Sequence, residues 1–149
     1  TSLGITTAYL AKARPTSTVT TMEGSVAIAE IAQQQFHELQ LNNINIVTGN
    51  FDETLQTVID KAVVPFNFVF VDGNHRKEPT LRYFEQLLAK SDSNTVFVFD
   101  DIHWSKEMEE AWEQVKQHSS VTLTIDLFFI GLVFLRKEQK AKEHFVIRY

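Results

Sequence analysis

A chain of 149 residues has the length of one α/β domain, and its 44% hydrophobic and 22% charged content is that of an ordinary folded protein. A net charge of −5 weighs against sequence-independent nucleic-acid binding, which needs an excess of Lys and Arg to replace phosphate counterions. The absence of cysteine excludes disulfides and thiolate zinc sites and fits a cytoplasmic protein.

No membrane partner is expected. The most apolar run, Val121 to Leu135, is interrupted by Asp126 and falls short of the roughly 20 residues that cross a bilayer. Ser17 to Met22 is rich in β-branched residues and reads as a strand. After Gly24 and Ser25, the residues Ile28, Ala32, Phe36 and Leu39 recur at the spacing of one helix face. Ile44 to Val47 reads as a short strand ending in a Thr-Gly-Asn turn, and Phe51, Leu55, Val58 and Ile59 mark a second amphipathic helix.

Phe66 to Val71 is almost continuously apolar, as in a parallel strand buried on both faces. Leu81, Phe84, Leu87 and Leu88 give the next helix, and Thr95 to Phe99 another buried strand. Ser105 is placed to cap a helix whose buried stripe is Met108, Ala111, Trp112 and Val115. Val121 to Ile125 and Leu132 to Leu135 are joined by too short a link for a parallel crossover, so they should pair antiparallel. The basic residues Arg136, Lys137, Lys140 and Lys142, diluted by Glu138 and Glu143, read as a solvated connection. The pattern predicts an α/β fold: one domain over residues 1–149, a mostly parallel sheet with helices on both faces, and an antiparallel C-terminal strand pair.

In such sheets ligands bind beyond the carboxyl ends of the strands. Candidate residues are therefore those that follow each strand: Thr1, Ser2 and Gly4; Glu23 and Gly24; Asn50 and Phe51; Asp72 and His75; Asp100, Asp101 and His103. Glu23 lies about 20 residues past the Gly4 turn, the spacing of an acid that accepts hydrogen bonds from ribose hydroxyls. A solvated carboxylate before a helix start would look the same. Three carboxylates on two strand ends, Asp72, Asp100 and Asp101, repel one another unless a cation or proton stands between them, and an oxygen-rich set suits Mg²⁺. Strand-end acids that merely cap a turn are the plainer explanation. His75, an imidazole beside these carboxylates, could act as a base toward a substrate hydroxyl.

The segment Thr-Ser-Leu-Gly at residues 1–4 resembles the first motif of class I S-adenosylmethionine-dependent methyltransferases, whose fold is Rossmann-like. The motifs Asp72-Gly-Asn-His75 and Asp100-Asp101-Ile-His-Trp104 are similar to those of small-molecule O-methyltransferases, including the metal-dependent catechol and caffeoyl-coenzyme-A enzymes. The resemblance implies S-adenosylmethionine along Thr1, Ser2, Gly4, Glu23, Gly24, Asn50, Phe51 and Asp72. It also implies a metal, Mg²⁺, on Asp72, Asp100 and Asp101, with Asp72 and His75 at the reaction and a small hydroxylated molecule as methyl acceptor. Asp101 stands where that family usually has Asn, and His75 where it has a Lys base.

The resemblance further implies an apolar strand upstream of Thr1, at the sheet centre, so the chain reads as truncated at its N-terminus. Sheet edges left open by its loss would invite pairing with another chain, a homodimer included. A nicotinamide-dependent oxidoreductase is the rival enzyme, disfavoured because no full Gly-x-Gly-x-x-Gly run is present. A non-catalytic binding protein on the same fold is the other rival. Trp104 and Phe129 are candidates either for a pocket wall or for the core, and His103 for a structural role.

Overall fold

The computed structural model describes residues 1–148, which form two compact units, Thr1–Val58 and the remainder from Ile59. In the first unit, α1 (Ile5–Ala13) leads to β1 (Val19–Glu23), α2 (Val26–Glu38), β2 (Ile44–Thr48) and the start of α3 (Phe51–Lys61). β1 and β2 pair in parallel, from Val19 opposite Ile44 to Glu23 opposite Thr48. The buried face of α2 is Ala29, Ala32 and Phe36. Ile28 and Leu39, expected on that face, are instead exposed; Leu39 lies just past the last helical turn, where the chain leaves the packed stripe.

The second unit runs β3 (Phe66–Val71), α4 (Lys77–Leu88), β4 (Ser91–Asp100), α5 (Lys106–Gln117), β5 (Leu123–Asp126), β6 (Ile130–Phe134) and β7 (Glu143–Val146). Its sheet has the order β3-β4-β6-β5-β7, with β3 parallel to β4 and the β5–β6 hairpin antiparallel, as the short link requires. β4 starts earlier than its apolar residues do, because Ser91 also pairs with Phe66 across a register shift. The polar ends of strands are carried by ladder bonds and not by hydrophobicity, so the pattern does not reveal them.

Phe84, Phe97 and Phe99 form the core, their rings meeting edge-on across α4 and β4 at 5.2 and 5.6 Å. α5 adds Met108, Ala111, Trp112 and Val115, and the Ser105 side chain accepts the Met108 N–H at 3.2 Å as its cap. Trp112 lies against the β6 backbone so closely that a Cβ on Gly131 would stand 2.7 Å from its ring. β7 is exposed along its length. Among the described residues no helix is long and apolar enough to cross a membrane.

Candidate active site

The first unit gathers its candidate residues at the carboxyl end of β1 and β2. The turn before α1 is shaped by Ser2 (φ 49°) and Gly4 (φ 85°), and closes through a Gly4 N–H to Thr1 carbonyl bond of 3.0 Å. Gly4 packs so tightly on Phe36 that a Cβ would come within 2.7 Å of the ring, which joins this turn to α2. Thr1 Oγ1 donates to the Met22 carbonyl at 2.7 Å. The Glu23 carboxylate accepts the Ser2 N–H at 2.8 Å and the Ser25 N–H at 3.0 Å. Burial alone would push this carboxyl up. The Ser25 and Ser2 amides hold Glu23 ionised, below the usual Glu range.

Two backbone amides thus aim the carboxylate while leaving lone pairs for further donors. Gly24 has open space where a Cβ would stand, and the Gly49 N–H bonds the Glu23 carbonyl at 2.9 Å. Asn50 follows, its Oδ1 accepting the Asp52 N–H at 3.0 Å at the head of α3, beside Phe51. Asn50 therefore has the ordinary capping role too, with its Nδ2 left to donate.

In the second unit, Asp72 directly follows β3, Asp100 ends the adjacent β4, and Asp101 directly follows it. His75 stands between them. Its Nε2 is 3.4 Å from Asp72 Oδ1, and its Nδ1 is 3.8 Å from Asp101 Oδ2. Asn74, His75 and Asp101 all adopt positive φ, which costs free energy in a residue with a side chain. Such strain gathers where side chains must be aimed, as here. Asp100 is pushed above the usual Asp range, first by burial and then by the charges of Asp72 and Asp101.

The residue types, three carboxylates that repel one another, are those a hard cation such as Mg²⁺ takes up. As the side chains stand, the described residues hold no group of three or more ligand-type side chains converged on one point. The His75 ring faces two of the carboxylates instead.

The remaining candidates fall on the loops beyond β4 and β5. Trp104 and Phe129 are 72% and 61% exposed, so neither belongs to the core. His103 Nε2 bonds Asp126 Oδ2 at 2.8 Å, the structural role expected of it. Asp126 itself escaped notice as a site residue. Its signal was its position as the one carboxylate interrupting an apolar run, which a buried and partnered acid explains.

The profile of the "methyltransferase domain" family matches residues 1–102, more than half of the chain. The chain belongs to this methyltransferase domain family. It is 28% identical over 101 residues to a catechol O-methyltransferase of Niastella koreensis, covering 66% of this chain and 45% of that protein. The chain thus spans less than half the length of this curated relative. The structure is similar to the O-methyltransferase TomG of Streptomyces achromogenes in complex with SAM, at 23% identity and a TM-score of 0.77, covering 91% of this chain and 70% of that one. It is likewise similar to an O-methyltransferase from Bacillus cereus in complex with SAH, at 25% identity and a TM-score of 0.74, over 89% of this chain and 70% of that one. The fold is therefore that of class I methyltransferases, Rossmann-like with antiparallel C-terminal strands, and the nicotinamide-enzyme rival loses its ground.

Proposed function

We propose that this chain is the catalytic domain of an O-methyltransferase that binds S-adenosylmethionine and methylates a hydroxyl of a small molecule. The reading is carried by the Glu23 carboxylate, aimed by the Ser2 and Ser25 amides beside the Gly4 turn. A carboxylate so held is ready to accept the two hydroxyls of a ribose. Thr1, Ser2, Gly4 and Gly24 would shape the rest of that rim, Asn50 Nδ2 would donate to the adenine, and Phe51 would offer an apolar wall. Asp72 is assigned to the cofactor as well as to the acidic cluster.

Held on that rim, S-adenosylmethionine would supply its sulfonium methyl group to an acceptor oxygen, the sulfur–methyl bond breaking to leave S-adenosylhomocysteine. His75, whose ring lies between Asp72 and Asp101, would receive the hydroxyl proton. Asp72, Asp100 and Asp101 would hold Mg²⁺, which lowers the pKa of a bound hydroxyl and orients it. A small hydroxylated acceptor is supported by the Niastella relative's name. A cytoplasmic setting accords with the cysteine-free sequence. Calorimetry tests the reading: S-adenosylhomocysteine should bind tightly and a nicotinamide dinucleotide weakly. Tighter binding of the dinucleotide would overturn it.

A further inference from the structure

Two neighbouring residues of the loop after β3, Asn74 (φ 69°) and His75 (φ 38°), stand in the left-handed region, which costs free energy in a residue with a side chain. The start of α4 does not explain this strain. Arg76 occupies its cap position, and the Arg76 side chain makes no capping hydrogen bond. Asn74 does not serve the helix end either. Its Nδ2 donates at 3.1 Å to the hydroxyl of Tyr83, more than a turn into α4, on the face that also buries Thr80, Phe84 and Leu87.

Tyr83 is only 5% exposed. A buried phenol needs partners for its hydroxyl, and a phenylalanine would fill nearly the same space without that need. The hydroxyl thus gives the loop a fixed point inside the core. The contacts of the His75 ring are looser. Its nitrogens lie 3.4 Å from Asp72 and 3.8 Å from Asp101, both beyond the usual length of an N–H to carboxylate hydrogen bond. The place of the imidazole is therefore set by its backbone, which the Asn74–Tyr83 bond holds one residue earlier. On the other side Glu107 of α5 accepts the Lys77 N–H at 3.3 Å, so the loop is tied to both helices.

We propose that Tyr83 is a positioning residue which, through Asn74, holds the His75 imidazole between Asp72 and Asp101. The inference rests on the methyltransferase reading, in which His75 takes the proton, and adds to it the group that keeps this base in place. Tyr83 lies in the core and acts only through the loop.

Solution NMR of the histidine rings tests it, with the His75 signals identified by their loss in His75→Gln. Tyr83→Phe keeps the ring and removes the hydroxyl. Asn74→Gly keeps the positive φ and removes the amide; Asn74 is exposed, so this variant should fold even if Tyr83→Phe does not. In both variants the His75 signals should shift and broaden. Those of His118, whose ring meets Phe84 edge-on at 5.5 Å, should stay in place, whereas a loosened α4 would disturb them. With catechol as the acceptor probe, kcat should fall by about ten- to a hundredfold, the scale of a reacting group out of place. KM and S-adenosylhomocysteine affinity should be retained. In a His75→Ala background neither substitution should lower kcat further. The inference is overturned if His75 keeps its signals in either variant, if they move only together with those of His118, or if kcat stays at the wild-type level. A wild type that does not bind S-adenosylhomocysteine sinks the methyltransferase reading, and this inference with it.

Discussion

The Ser2 amide and the Glu23 carboxylate, 2.8 Å apart, fasten the turn before α1 to the end of β1. One carboxylate both shapes the glycine turn and stands ready for a ligand. Glu23→Ala should therefore weaken S-adenosylhomocysteine binding by about 1.5–3 kcal/mol, the scale of a hydrogen bond to a charged group. Calorimetry reads this directly, and an unchanged affinity would remove Glu23 from the cofactor site. The sign of its pH effect is fixed as well. The folded-state pKa is depressed, so the stabilisation is complete above the ordinary Glu value and is lost as pH falls through the lower folded value.

Gly4→Ala should destabilise the first unit by about 1–3 kcal/mol, because φ is positive there and the new Cβ meets the Phe36 ring. Thermal melting measures it. A melting point equal to that of the wild type would mean that the turn and α2 yield without cost.

Asp100 offers the opposite case. Its folded pKa is raised, so stability declines as pH climbs from the ordinary Asp value through the folded one, and the ionised carboxylate remains unfavourable at neutral pH. Asp100→Asn should raise the melting point at pH 7 by about a few degrees, while turnover falls. Such a trade marks an acid kept for function. A lower melting point would show that Asp100 is structural.

Mg²⁺ should relieve the same repulsion. Titration with the metal is expected to raise the melting temperature of the wild type, and Asp72→Asn and Asp100→Asn should each abolish that rise. Full turnover after thorough chelation, with no thermal response to Mg²⁺, would remove the metal from the reaction.

His75→Ala should cost about a hundredfold or more in turnover, the range for a lost general base, with cofactor affinity retained. Equal turnover would pass the proton's destination to another group.

Much of this architecture was legible because it depends on short-range patterns. The apolar run of β4 and the Met108–Val115 stripe of α5 are cores that the sequence spells out, whereas β3, expected to be buried on both faces, buries only Val69 and leaves Phe68 47% exposed, because it ends its sheet. The strand-end residues Glu23, Asp72, Asp100 and Asp101 stood out because charge directly after an apolar strand is conspicuous. β7 was not legible, since its residues are exposed and a backbone ladder to β5 holds it. The Asp126 cluster, whose carboxylate bonds both His103 and Arg148, was hidden for a different reason. His103, Asp126 and Arg148 are 23 and 22 residues apart, and only the strand register beneath them brings them together. Trp104 and Phe129 show the limit of composition: an aromatic side chain reads as pocket wall or as core alike until its surroundings are known.

The contact of Trp112 with Gly131 also bears on how the second sheet finds its alignment. Gly131 is the ladder partner of Phe99 on one side and of Asp126 on the other. A slip of β6 by one position in either direction would drive Ile130 or Leu132 into the plane of the indole, and would turn its inward residues outward. The indole and the bare backbone beneath it thus work as a key in its slot, admitting a single setting of the hairpin. The depth of one packing contact on α5 therefore decides which residues of β5 and β6 arrive beside the acidic rim.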